Sequence, residues 1–432
     1  MDLKPTKPLS GFIELLPVQQ RCFDYCAAKM QNVLRLAGFS MLDLPAIERA
    51  EVLTDKDNWN EIETQMFLFQ KGDTKMGLRY DGTVGLSRYV AGHLNDLVFP
   101  FRASQFSKRY RGERAQRGRY REFYQMDLDI MGINSLSTNY DAEIISVINR
   151  ALESVSEFIG PNIVLVGSRP FWDALFEYLN LDASQKKSVF VLIDKKDKMG
   201  DADFTEGLQD ALNDSNKEKV IKSVFVDGYE TFMNKSEKLD AAIAELTDFM
   251  KLLDGMGVKN AKIDLSIARG LAYYTGLVFE FKLINHPELG TAAGGGRYAD
   301  LAGKFSKTKI IGVGAAIGFS RIFASMLENN QIDLSQFAND VDAAVLIMGN
   351  NNVAYAAGVV NALRGAGVVA VPYLDTDKKF KNQIEYADKI NARFSVIIGD
   401  DEVAKNVVAL KNMKSGSQET LSVVDAIKEM TK

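Results

Sequence analysis

The sequence predicts an α+β protein: a core built on an antiparallel β-sheet with flanking helices, a helical insertion, and a separate C-terminal α/β domain. Three observations predict it. Short strand-like runs with turn punctuation crowd residues 66–132, residues 171–258 turn helical, polar and charged, and from 341 onward strands and helices alternate. At 432 residues the chain has room for about two to four domains of roughly 100–200 residues each.

Element by element, residues 17–38 carry apolar side chains at helical spacing (Cys22, Tyr25, Cys26, Met30, Val33, Leu34, Leu36), with Gly38 placed to stop the helix. MFLFQ (66–70), KMGLRY (75–80), FSKRYRG (106–112) and EFYQMDLDIMG (122–132) read as strands. DKKDKMGDADF and NDSNKEK interrupt the helical insertion as loops. Strand signals return in AKIDLSIA, GLVFEFKL and the Gly-rich TAAGGGRYADL, followed by the small-residue run IIGVGAAIGFSRIF. Residues 329–340 read as a linker. Strand DAAVLIM, helix VAYAAGVVNALRGAG, strand VVAVPYL, helix KKFKNQIEYADKINA and strand FSVIIGD then form the last domain, with Gly365 and Gly367 ending its first helix. The expected divisions are 1–170, 171–258, 259–328, 329–340 and 341–432.

Composition narrows the function. With 52 basic and 57 acidic residues the formal charge is -5, which argues against binding nucleic acid through bulk charge. Two cysteines offer neither a disulfide framework nor a four-ligand zinc site, and two histidines leave little material for a catalytic triad. The N-terminus lacks the apolar stretch of a signal peptide and no run of about 18 apolar residues is present, so a reduced, cytoplasmic protein is expected.

Charge is concentrated in one place. Residues 102–121 hold eight cations (Arg102, Lys108, Arg109, Arg111, Arg114, Arg117, Arg119, Arg121) against the single anion Glu113. Such a run is often a solvated loop balanced by neighbouring acids. On a β-hairpin, however, Arg109, Arg111 and Glu113 would share a face, with RAQRG as the turn and Arg119, Arg121 and Phe123 on the returning strand. Arginines with an aromatic at their base can clamp a triphosphate and stack a purine.

These residues carry a resemblance. RYRGERAQRGRYREFYQ (109–125) resembles motif 2 of the class II aminoacyl-tRNA synthetases in the form found in the histidyl-tRNA synthetase family. LRYDGTVGLSRYVA (78–91), ARGLAYYTGLVFE (268–280) and GGGRYADL (294–301) are similar to further segments of that family. GAAIGFSRI (314–322) resembles motif 3, and the helix through GFSMLDLPAIE (38–48) resembles motif 1, the dimer segment. The chain departs from the family pattern at Ala272, Ala115 and Ser320, and at Gly82 and Gly85, which replace bulkier residues.

The resemblance implies a class II catalytic fold, a helical insertion and an anticodon-binding domain. It implies an enzyme that joins histidine to ATP as histidyl-adenylate, releasing pyrophosphate, and then passes histidine to the 3′ end of tRNA(His). ATP would be a substrate accompanied by Mg2+, with no dedicated protein metal site, and the chain would be a homodimer through motif 1 with no membrane partner. Arg111, Arg269 and Arg321 would be catalytic, Arg111 bridging the α-phosphate and the histidine carboxylate. Glu113 and Phe123 would hold adenine, while Arg119 and Arg321 would reach the outer phosphates. Asp81, Thr83 and Gln125 would meet the α-amino group, Asp129 and Tyr274 would read the imidazole, and Arg269 and Tyr273 would complete the histidine site.

Taken alone, Tyr273 and Tyr274 read as strand packing, Gly294–Gly296 as a turn, and Asp127 with Asp129 as half of a metal site that lacks a third ligand. For tRNA, Arg114, Gln116 and Arg117 at the hairpin tip and Lys378, Lys379 and Lys381 at a helix start are the contacts expected. Two other readings compete: a catalytically silent, histidine-sensing regulatory subunit of the same fold, which would lose active-site arginines, and a related synthetase for another amino acid.

Overall fold

The computed structural model describes residues 4–54, 64–116, 118–196, 199–267, 274–299, 303–338 and 341–431. It divides into two compact units, Met1–Leu15 with Phe23–Ile332, and Leu16–Cys22 with Asp333–Lys432. Helix α1 (Pro17–Leu36) forms where the apolar spacing predicts. Cys22, Cys26, Met30 and Leu34 on one face are all 0% exposed, whereas Leu36 falls off that face into solvent. Gly38 at φ +79 then ends the helical path. The expectation of a helix through 38–48 is thereby corrected: β1 (Ser40–Met41) and β2 (Ile47–Arg49) are extended there, and Pro45 disfavours helix at the residue before it.

β3 (Leu68–Lys71) and β4 (Thr74–Leu78) turn at Gly72, φ +58, and form with β2 a small sheet in the order β2-β4-β3. Helix α2 (Thr83–Gly92) follows. The long strands β5 (Phe101–Tyr110) and β6 (Glu122–Ile133) pair antiparallel from Phe101↔Met131 to Tyr110↔Glu122. After α3 (Asn139–Glu153) and β7 (Asn162–Ser168) come five helices: α4 (Arg169–Tyr178), α5 (Ala183–Lys195), α6 (Asp201–Leu212), α7 (Ser215–Val226) and α8 (Glu237–Gly255). Asp182, Asp214 and Ser236 cap three of them by accepting from first-turn amides. Trp172 anchors α4 by donating to the carbonyl of Leu265 at 3.0 Å.

β8 (Ala261–Ile263), β9 (Tyr274–Leu283), β10 (Thr291–Tyr298) and β11 (Ile310–Ile317) complete an eight-stranded sheet, ordered β1-β5-β6-β11-β10-β9-β7-β8. Its pairings are antiparallel except β1 with β5 and β7 with β8. Helix α9 (Phe319–Glu328) packs on β6 and β10. This is the mixed, mainly antiparallel sheet with flanking helices that the sequence predicts.

Arg297 of β10 clamps this sheet to the start of α3. It donates to Asp141 at 2.6 and 3.1 Å and to the carbonyls of Leu136 and Ser137 at 2.9 and 2.7 Å. Removing one member of a buried pair strands the other, so Arg297→Ala is expected to destabilise this unit by about 3–5 kcal/mol in urea unfolding. A loss below about 1 kcal/mol would contradict the clamp.

The second unit holds β12 (Ala343–Ile347), α10 (Val353–Gly365), β13 (Ala370–Pro372), α11 (Phe380–Lys389), β14 (Phe394–Ile398), β15 (Val408–Asn412), β16 (Gln418–Leu421) and α12 (Val423–Met430). Its sheet runs β13-β12-β14-β15-β16. β12 is parallel to both neighbours and buried on both faces, Val345 and Ile347 in one core and Ala344 and Leu346 in another. Gly367 at φ +82 follows α10, matching its expected stop. β15 and β16 add an antiparallel edge that the sequence pattern does not announce.

Candidate active site

The β5–β6 hairpin sorts its cations by depth. Pairing within the strands ends at Tyr110↔Glu122, so Arg111 and Glu113 emerge beyond the ladder. The expectation that Arg109, Arg111 and Glu113 project together is corrected. Arg109 lies inside β5, 0% exposed, in an ion pair with Asp127, because a strand residue two positions back from the open end still sits under the packed sheet. Lys108 pairs with Glu122 at 2.7 Å, Arg102 with Glu143 at 2.9 Å and Arg119 with Glu113 at 3.2 Å. Arg121 donates to the Glu113 carbonyl at 3.1 Å.

Arg111 differs from these. It lies 4.4 Å from the Tyr80 ring centroid and 5.3 Å from that of Phe123, donates to the Tyr80 carbonyl at 3.4 Å, and has no carboxylate partner among the described residues. Burial raises the Tyr80 phenol pKa, partly offset by that cation. Arg114 and Gln116 are exposed at the tip, where Gln116 and Arg119 bridge through their backbones. Arg117, Arg269, Ala272 and Tyr273 lie outside the described residues.

Two adjoining cavities open over the sheet. The larger, about 320 Å³, is lined by Arg111, Glu113, Arg119 and Phe123 from the hairpin, Glu280 from β9, and Arg321 from α9. Arg321 is oriented by donating to the carbonyls of Thr291 at 2.8 Å and Gly118 at 3.3 Å. Ser320 beside it is buried and accepts from the Tyr124 amide at 2.8 Å, which fastens α9 to β6. Tyr120 donates to Glu328 at 2.9 Å and ties the returning hairpin arm to the same helix.

The smaller cavity, about 100 Å³, is lined by Asp81, Thr83, Gln125, Asp127, Tyr274 and Tyr298. Arg111, Gln125, Tyr274, Gly294 and Ala316 belong to both. Asp81 caps α2 by accepting from the Val84 amide at 3.0 Å. Burial raises its pKa, opposed by that amide and by the charges of Arg109 and Arg111. Asp129 sits under the floor, 1% exposed, and accepts from the Tyr298 hydroxyl at 2.9 Å. Burial first, and Asp127 second, push its pKa up to about 8 against the Tyr298 hydrogen bond and the Arg109 charge. Gly314 is obligatory beside it, since a Cβ there would collide with the Asp129 carboxylate. β10 passes close to β9 and β11 for a similar reason: a Cβ on Gly295 would collide with the Gly314 carbonyl.

The residues expected at ATP therefore line one cavity, and Asp81, Thr83, Gln125 and Tyr274, expected at histidine, line the other. Sequence reasoning missed Tyr298 and Glu280, although both lie within quoted segments, and it placed Arg109 on the same open face as Arg111. Their partners are distant in the chain, so only the fold reveals them.

A family model for histidyl-tRNA synthetase matches residues 11–324, and one for an anticodon binding domain matches 342–432. The chain belongs to the histidyl-tRNA synthetase family. It is 37% identical to a histidine–tRNA ligase of Clostridium tetani over 99% of this chain and 98% of that one. A histidine–tRNA ligase of Finegoldia magna is also 37% identical, over 98% of both chains. The crystal structure of histidyl-tRNA synthetase from a Nostoc species superposes with a TM-score of 0.85 at 32% identity, covering 99% of each chain. The first match spans the unit that carries the two cavities, and the second falls within the C-terminal unit.

Proposed function

We propose that the chain is a histidine–tRNA ligase, acting in the cytoplasm as a homodimer. The observation that carries this reading is the pair of cavities joined at Arg111, one lined by cations and an aromatic ring, the other by carboxylates and neutral acceptors. The catalytic core comprises residues 1–170 and 259–328, the insertion 171–258, the linker 329–340 and the anticodon-binding domain 341–432.

ATP occupies the larger cavity, with adenine on Phe123 and its amino group on Glu113, and with the outer phosphates on Arg119 and Arg321. Histidine occupies the smaller, its ammonium at Asp81, Thr83 and Gln125 and its imidazole at Tyr274, above the Asp129 carboxyl that Tyr298 holds under the floor, with Arg269 and Tyr273 completing the site. Arg111 in the shared wall holds both the α-phosphate and the histidine carboxylate, so the attacking oxygen and the phosphorus are brought together. The carboxylate attacks the α-phosphorus in line and pyrophosphate leaves. Cations on the equatorial oxygens spread the charge of that transition state. A hydroxyl at the tRNA 3′ end then attacks the acyl carbon and AMP leaves.

Bound together with ATP, Mg2+ would neutralise charge on the phosphate oxygens. Glu280, a carboxylate lining the larger cavity that accepts from the Thr291 hydroxyl at 2.7 Å, suits the one or two carboxylates such a hydrated ion takes. Arg114, Gln116 and Arg117 face the acceptor end of the tRNA. Lys378, Lys379 and Lys381, exposed at the start of α11, meet its anticodon arm. The exposed Leu36 and Met41 beside the sheet-edge strand β1 support the dimer contact.

Charging of tRNA(His) with labelled histidine tests the proposal. Formation of histidyl-tRNA is expected, dependent on ATP. Histidine binding without charging would instead favour the regulatory reading.

A further inference from the structure

Beneath the smaller cavity lies a charged pair that the reaction above does not use. Arg109 Nη2 pairs with Asp127 Oδ2, and Nη1 donates to Ser107 Oγ at 2.7 Å and to the Lys108 carbonyl at 3.1 Å. Its Nε is also buried, with no hydrogen-bond partner among the described residues. Gly82 lies flat on this pair: a Cβ there would come within 2.5 Å of Arg109 Nη2 and 2.6 Å of Asp127 Oδ2. Gln105 Nε2 holds the Gly82 carbonyl at 3.1 Å. Glycine at position 82 thus has a physical reason, since a larger side chain would strike the ion pair.

Asp81 and Thr83, which flank Gly82, line the cavity, as does Asp127 itself. The groups facing the pair from the surrounding elements are Asp81 before α2, Asp129 of β6, Tyr298 of β10, and the cations Arg79 and Arg111. Burial and the Asp127 charge both favour the protonated forms of Asp81 and Asp129. A protonated acid no longer pairs with an ammonium group. Arg109 is too deep to touch a substrate, so whatever it does for recognition it does through its neighbours.

We propose that Arg109 is a positioning residue for amino-acid recognition: through Asp127 it seats the 81–83 loop at the cavity and supplies the buried positive charge that readies the surrounding carboxylates for a cationic substrate. This deepens the histidine assignment and rests on it. Its positive charge favours the ionised forms of both Asp81 and Asp129. Without it, both carboxylates hold their protons to higher pH, and the acid side of histidine recognition moves upward with them.

The test is histidine-dependent ATP–pyrophosphate exchange across pH for the full-length wild type, Arg109→Met, Arg109→Lys, and Arg109→Met combined with Asp127→Asn. Arg109→Met is expected to raise the histidine KM about tenfold or more while the ATP KM stays within about twofold, with the deficit growing as pH falls. Arg109→Lys should recover most of the loss. The double variant, in which no carboxylate is left stranded, should recover melting temperature but not histidine KM, and it carries the same readout if the single variant does not fold. Equal rises in both KM values, or folded variants with both unchanged and the same pH profile, would overturn the proposal. Wild-type exchange is measured alongside: its failure with histidine overturns the function, whereas normal wild-type exchange with an unaltered Arg109→Met overturns only this inference.

Discussion

Replacing Arg111 by alanine is expected to lower kcat for histidine-dependent ATP–pyrophosphate exchange by about 100- to 1,000-fold. Arg111 lines both cavities, and Tyr80 and Phe123 fix its guanidinium from two directions. A cation spent on a nearby carboxylate would have to break that bond to act. Arg102, Lys108, Arg109 and Arg119 are paired in this way. Arg111 is half-buried, oriented by two rings and available, so removing it takes charge away from the point where attacking oxygen and α-phosphate meet. The measurement is pre-steady-state formation of histidyl-adenylate. Arg111→Lys should stay well below wild type, because an ammonium lacks the planar fork that spans two oxyanions. A variant within about fivefold of wild type would remove Arg111 from the centre of the mechanism.

The second large effect is expected at Asp129. Asp129→Asn should lower kcat/KM for histidine by about 100-fold or more and leave ATP binding nearly unchanged, since a site built to satisfy a polar ring penalises any mismatch of donors and acceptors. Equal loss for both substrates would count against Asp129 as the imidazole reader. Stability supplies a separate check. The Asp129 carboxyl is raised to about 8 in the folded protein from its ordinary value of 3.8, so between those values the folded state holds a proton that the unfolded state has released. Wild-type stability therefore falls as pH rises through that window, and the deficit is complete above pH 8. Asn cannot ionise, so Asp129→Asn should melt roughly 2–6 °C above wild type at pH 8.5 and close to it below pH 4. Loss of recognition with a gain in stability at alkaline pH is the signature of a group retained for function.

Much of this site was legible from residue type and order. The spacing of RYRGERAQRGRYREF put Arg111, Glu113, Arg119 and Phe123 on one hairpin, and the cavity over that hairpin contains all four. The antiparallel sheet was legible from closely spaced strands, and β12 from its unbroken apolar run. What was not legible is how charge is spent. Arg109 and Arg111 are alike in sequence, two apart, yet one is buried against Asp127 and the other faces ligand space. The difference is set by where the β5–β6 ladder ends, which depends on packing. The need for glycine at position 82 was not legible either, because it lies in a pair whose members are 27 and 45 residues further along. The segment 38–48 was misread as helix because the motif resemblance outweighed the local signals of Gly38 and Pro45, whereas the end of α1 at Gly38 was legible.

The most direct measurement of the central claim is ATP–pyrophosphate exchange by the purified chain with each of the twenty amino acids in turn. Two adjoining cavities that share Arg111, with carboxylates under the smaller, predict strong exchange with histidine and, with every other amino acid, exchange at least about 100-fold weaker. Absence of exchange with histidine in well-folded protein, or stronger exchange with another amino acid, would contradict the assignment.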